Sequence, residues 1–199
     1  QVILFPSAYE PRNPAVADRY LSYVENRSAY MIRWTHGEPG RKTIVCLHGY
    51  MLGDPNQAER MFKVRSLFHQ GLDVALFITP FHWKRAPRNK TKSGLFLQPA
   101  DVSMTAECFG QAMYDLHPCF KILRDQGAGE VGIIGASLGG YNAGLMACLT
   151  DNIAFAALMV PAVKFVGAFG PGTVKYPFEM DHILVQKINR VWTMHSPLN

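Results

Sequence analysis

Val131-Gly132-Ile133-Ile134-Gly135-Ala136-Ser137-Leu138-Gly139-Gly140-Tyr141-Asn142-Ala143-Gly144-Leu145-Met146-Ala147-Cys148-Leu149 reads as a short apolar run, a Gly-x-Ser-x-Gly turn and a small-residue helix. That order of strand, sharp turn and helix sets a serine on a nucleophile elbow. A serine at so tight a bend is held in a strained backbone conformation. The residues two positions to either side pass too close for a side chain, which suits Gly135 and Gly139. The bend lifts the Ser137 hydroxyl clear of the strand. The amide of Leu138, in the first turn of the helix, then points where a negative oxygen would develop during attack on a carbonyl.

Around this stretch the chain has the length and composition of one globular domain over 1–199, with 199 residues of which 48% are apolar. No run approaches the roughly twenty apolar residues of a membrane span, and Gln1-Val2-Ile3-Leu4-Phe5-Pro6 lacks the pattern of a secretory signal. The four cysteines, at 46, 108, 119 and 148, show no metal-ligand spacing, so no metal site and no cofactor is expected. Cys46 and Cys148 fall on apolar faces and read as buried thiols. Cys108 and Cys119 share one helix about 16 Å apart along its axis, too far for a disulfide. Reduced thiols point to a reducing compartment, and the expected location is cytoplasmic.

The net charge of +5 is uneven. Lys84, Arg85, Arg88, Lys90 and Lys92 crowd one loop, read as a solvated basic segment or as a device that steers an anionic substrate. Nucleic acid is not an expected partner, because the segment carries no recognisable binding module.

Periodicity places a helix over 14–26, a strand over 29–35, and a buried strand over 43–47 that ends in His48-Gly49-Tyr50-Met51. A helix from Asn56 to about Gln70 precedes a core strand at 74–78 that runs into Thr79-Pro80-Phe81-His82. A long helix follows over 101–126, bent or divided by Pro118. After the elbow come a further core strand at 155–160, a glycine and proline loop, and a last amphipathic helix. Strands alternating with helices of this length imply a doubly wound, mostly parallel sheet with helices on both faces. The site belongs at the C-terminal strand ends, where His48, His82, Ser137 and Pro161 converge.

On these residues the chain resembles the α/β-hydrolase family, in its uncapped or lightly capped esterase and acyl-hydrolase branch. Gly135-Ala136-Ser137-Leu138-Gly139-Gly140 matches the family's elbow, and His48-Gly49-Tyr50 matches the loop that supplies its second oxyanion donor. The resemblance implies Ser137 as nucleophile and the amides of Tyr50 and Leu138 as the oxyanion hole, with Met51 the alternative to Tyr50. His48, Met51 and His82 are the candidate pocket residues, and 164–199 is a candidate lid or cap.

Family members run serine, acid, histidine in chain order. After Val160 no convincing core strand remains, so the acid and histidine would lie beyond residue 199, or the site is built otherwise. Of the histidines present, His182 reads as a surface residue, His195 as a loop histidine, His48 as a brace for its own loop, and His82 as a pocket or carbonyl-bonding residue; Asp151 reads as a cap. The implied activity is that of a serine hydrolase acting on an ester, thioester or amide through an acyl-enzyme, with a small-molecule acyl substrate. Phe81, Trp83, Phe165 and Phe169 are expected near its mouth. The alternatives are an acyltransferase on the same elbow and a binding protein that keeps the fold without turnover. An incomplete sheet would leave an edge to be covered by a missing C-terminal segment or by another copy.

Overall fold

The computed structural model describes residues 1–88, 93–94, 101–165 and 179–196. Six strands, β1 (Val2–Pro6), β2 (Ser28–Trp34), β3 (Thr43–Leu47), β4 (Asp73–Ile78), β5 (Val131–Ala136) and β6 (Ala156–Met159), form one sheet in the order β1-β2-β4-β3-β5-β6. β2 runs antiparallel to both its neighbours, β1 and β4, whereas β4, β3, β5 and β6 are mutually parallel. β1 was not foreseen, because five residues with Pro6 at the end give periodicity little to work on; it pairs with β2 from Val2 opposite Ile32 to Pro6 opposite Ser28.

Successive side chains of a strand point to opposite faces, so a strand covered on both sides must be apolar almost throughout. β3 and β4 are buried at every position. Val74, Leu76 and Ile78 join Ile44 and Cys46 on one face, against Ala58, Phe62 and Val64. Ala75 and Phe77 join Val45 and Leu47 on the other, against Leu116, Phe120 and Leu123. The helices that cover the sheet are therefore α2 (Pro55–Met61) and α3 (Val64–His69) on the first face, and α4 (Val102–Asp125) and α5 (Leu138–Leu149) on the second, with α1 (Pro14–Leu21) before β2 and α6 (His182–Met194) at the end.

Local chemistry moves several boundaries. The first helix stops at Leu21, and Val24–Arg27 forms a separate 3-10 turn. The Asp54 carboxylate accepts from the amides of Asn56 and Gln57, so Asp54 rather than Asn56 caps α2, and Lys63 in the left-handed region (φ 50°) separates α2 from α3. Pro118 does not divide α4, which is continuous; lacking an N–H, it removes the helical donor of the carbonyl of Tyr114, an exposed residue one turn earlier.

Two expectations about burial are corrected at β6. The apolar run 155–160 predicts a core strand, yet β6 is mostly exposed, with Leu158 and Met159 more than two-fifths accessible, because no element among the described residues lies beyond it. Cys148 is exposed, unlike Cys46, because the last turn of α5 faces that same uncovered side. All four cysteines are free thiols. No helix among the described residues is long and apolar enough to cross a membrane.

Candidate active site

Parallel register aligns the C-terminal ends of the central strands, with Leu47 opposite both Phe77 and Gly135. Strain gathers there. Of the six non-glycine residues with positive φ among the described residues, Met51 follows β3, Phe81 and Trp83 follow β4, Ser137 follows β5 and Val160 follows β6; Lys63 is the exception. Such conformations each cost on the order of 1–3 kcal/mol and persist where surrounding structure enforces them, commonly at functional sites.

Ser137 is exposed, with φ 53° and ψ −113°, between β5 and α5. Its amide donates to the Met159 carbonyl of the neighbouring strand (2.9 Å), and its own carbonyl accepts from Tyr141 and Ala162 (both 3.1 Å), so the turn is tied on both sides. A Cβ on Gly135 would strike the backbone of Gly139, and one on Gly139 would strike the Leu47 carbonyl. The backbone at this bend has no room for side chains, and the turn projects the hydroxyl outward. As the first residue of α5, Leu138 has an amide without an intrahelical acceptor.

The loop after β3 lies beside it: a Cβ on Gly49 would stand 3.5 Å from the Ser137 Cβ and 3.4 Å from the Ala136 carbonyl. Tyr50 and Met51 are exposed on this loop, while His48 and His82 lie beneath it without solvent access. The tautomer of His48 follows from its neighbours. The Thr79 amide can only donate, so Nε2 of His48 accepts from it (3.2 Å), and Nδ1 carries the proton and donates to the Gly49 carbonyl (2.9 Å). His82 likewise donates from Nδ1 to the Pro80 carbonyl (2.8 Å), which leaves its buried Nε2 without a hydrogen-bond partner. Burial pushes His48 down to about 4, opposed by the Gly49 hydrogen bond and reinforced by the Arg85 charge. Burial, then the adjacent His48 ring 4.8 Å away, pushes His82 well below its ordinary value. Both imidazoles are neutral at physiological pH.

Other residues fall elsewhere. The His195 Nδ1 meets the Tyr141 hydroxyl (2.8 Å), one turn along α5 from Ser137, and its ring packs against Phe109 and Trp192. His182 is exposed, and the Asp181 carboxylate before it caps α6 through the Leu184 amide. Among the described residues the acid–histidine contact within salt-bridge distance is Asp73 with His36 (2.9 Å), at the N-terminal start of β4, the opposite end from Ser137. Phe81 and Phe165 are buried rather than at a mouth, Phe81 against Tyr20 and Tyr23 and Phe165 against Trp192. Phe169 lies outside the described residues, as do Lys90 and Lys92.

Arg85 leaves the group of solvated cations altogether. It is fully buried, paired with Asp115 (2.6 Å) and bonded to the carbonyls of Ile78 and Asn26. Its charge is structural, holding the end of β4 against α4. Sequence reasoning passed over Thr79, which joins the two histidines; its place directly after β4 and before Pro80 was the available signal. An apolar groove of about 470 Å³ starts at Gly140 and Tyr141, just past the elbow, and runs by Gly144, Leu158 and Pro161 to Met194. No group of three or more metal-ligating side chains occurs among the described residues.

The family described as alpha/beta hydrolase domain containing 18 matches residues 23–191. Uncharacterized proteins from two strains of Mycobacterium tuberculosis are each 30% identical over 172 residues, covering 84% of this chain and 41% of their own. The chain thus spans about two-fifths of the length of the curated relatives it matches. Among solved structures, Est1E from Butyrivibrio proteoclasticus with ferulic acid bound superposes with a TM-score of 0.55 at 13% identity, over 83% of this chain and 68% of that one. The peroxisomal alpha-beta-hydrolase Lpx1 from Saccharomyces cerevisiae does so with a TM-score of 0.53 at 18% identity, over 82% of this chain and 45% of that one. At these identities the likeness is one of fold.

Proposed function

The chain belongs to the alpha/beta hydrolase domain containing 18 family, with the α/β-hydrolase fold, and from that premise we propose that it carries the nucleophile and oxyanion hole of a serine esterase. Ser137 attacks the carbonyl of an ester, thioester or amide, and the amides of Leu138 and Tyr50 receive the oxyanion of the tetrahedral intermediate, which collapses to an acyl-enzyme. The observation that carries this reading is the strained, exposed Ser137 at a turn too tight for any side chain at Gly135 or Gly139. The apolar groove beside α5 offers a wall for an acyl chain. His48 and His82 are buried and committed to backbone bonds, so neither serves as the general base.

A fluorophosphonate probe reacts readily only with an activated serine. The intact gene product should be labelled at Ser137, and Ser137→Ala should lose all labelling. Labelling that survives the substitution would overturn the assignment. The commitment of both site-end histidines to backbone favours a second reading, a hydrolase fold that binds acyl compounds without turnover. A wild-type protein that resists the probe while binding an acyl ligand would favour that binder. An acyltransferase would be labelled as the esterase is and would differ only in its acceptor.

A further inference from the structure

Each polar atom between His82 and Gly49 has its role set by its neighbours. Carbonyls only accept, so the His82 Nδ1 that lies 2.8 Å from the Pro80 carbonyl must carry a proton; the Thr79 Oγ1 only 3.0 Å away shares that proton as a second acceptor. The Thr79 hydroxyl hydrogen is then free to donate to His48 Nε2 (3.1 Å), beside the Thr79 amide, and His48 Nδ1 passes its own proton's hydrogen bond to the Gly49 carbonyl. The series runs one way, from the end of β4 to the loop after β3. Its last acceptor belongs to the peptide group whose nitrogen is that of Tyr50. Because this group is planar, holding the Gly49 carbonyl holds the direction of the Tyr50 N–H.

We propose that Thr79 and His82 are positioning residues of the oxyanion loop, aiming the Tyr50 amide through His48. This rests on the assignment of Tyr50 to the oxyanion hole made above. A second device presses on the same loop from outside. The Ser93 Oγ accepts from the Trp83 amide and donates to the Leu52 carbonyl (both 3.0 Å), and the Gly94 amide donates to the Phe81 carbonyl (2.7 Å). Gly94 has φ +78°, and a Cβ there would come within 2.7 Å of both the His82 Nε2 and the Tyr50 ring. His82 is thereby clamped between the relay and the 93–94 turn. Neither residue touches the reacting atoms.

The test uses the intact gene product and two readouts, one independent of activity. Thr79→Val removes the hydroxyl and keeps the amide, and His82→Leu removes the first donor; Thr79→Ser and His82→Asn keep a donor in place. The two breaking variants should shift the Tyr50 amide resonance and speed its hydrogen exchange. They should also lower the rate constant for fluorophosphonate labelling of Ser137 by about 10-fold to 100-fold, somewhat less than outright loss of an oxyanion donor, with the half-saturating probe concentration unchanged. The conservative variants should stay near wild type in both readouts. An unchanged Tyr50 amide in both breaking variants, or equal slowing by Thr79→Ser and Thr79→Val, overturns the relay. If the wild type is not labelled but its Tyr50 amide responds as expected, the esterase reading fails and the relay stands as a loop-orienting device.

Discussion

The two ends of β4 hold polar clusters of opposite design. At its start, Asp73 is wholly buried and takes Arg33 (2.9 Å), the Thr35 hydroxyl (2.7 Å), and both the ring and the amide of His36. Burial alone would raise the Asp73 carboxyl, but His36, Thr35 and Arg33 outweigh it and hold it at about 2. At the strand's other end Thr79 sits between two neutral histidines, and one buried ring nitrogen goes unpaired. Charge at the first end is compensated by an ion pair and hydrogen bonds that complete the fold. At the second, both imidazoles are neutral although the buried Arg85–Asp115 pair stands nearby, and strained backbone and an unpaired lone pair are tolerated close to the exposed serine. The Asp73 cluster at the start of β4 stabilises; at its end the Arg85–Asp115 pair stabilises, and the Thr79–histidine series orients.

The sharpest break of this contrast is Asp73→Ala. It leaves the Arg33 guanidinium, only 7% exposed, without its carboxylate, and should cost about 3–5 kcal/mol in urea unfolding. Labelling of Ser137 per folded molecule should not change. A labelling defect without a stability loss would reverse the roles assigned to the two ends.

Acid should separate the clusters by pH window. His48 is held at about 4 in the fold against an ordinary 6.5, so as pH falls through that interval the unfolded chain takes up a proton that the folded chain refuses. Stability is complete above the upper value and falls by about 3 kcal/mol by the lower one, with His82 acting in the same sense. The Asp73 contribution is intact above its ordinary 3.8 and is lost only as pH drops toward 2. Urea midpoints that stay flat from neutrality to about pH 4 would show that the histidine end is not buried and neutral as described.

The smallest effect concerns the basic loop. Lys84→Gln with Arg88→Gln should alter stability by no more than about 0.5 kcal/mol, since both side chains are exposed. Any rise in KM for an anionic ester should vanish at high salt. Arg85→Gln should instead cost about 3–5 kcal/mol, because it strands a buried Asp115. Equal effects of the substitutions on stability would undo the distinction drawn within that loop.

The apolar runs at 43–47, 74–78 and 131–136 dictated a parallel core by themselves, because only strands covered on both faces can be so uniformly apolar. The elbow was equally legible as a pattern, although only Gly135 answers to a local contact, the Gly139 backbone; Gly139 itself answers to the distant Leu47 carbonyl of β3. What sequence could not express depends on residues distant in the chain: the exposure of β6 and Cys148 follows from the lack of a covering element among the described residues, and the burial of Arg85 from Asp115 thirty residues on. The link from His82 through Thr79 to His48 spans two strands, and its direction was decided only when tertiary structure set a backbone amide on one side of an imidazole and a carbonyl on the other. Donor and acceptor roles of a histidine belong to its surroundings, and no spacing in the chain encodes them.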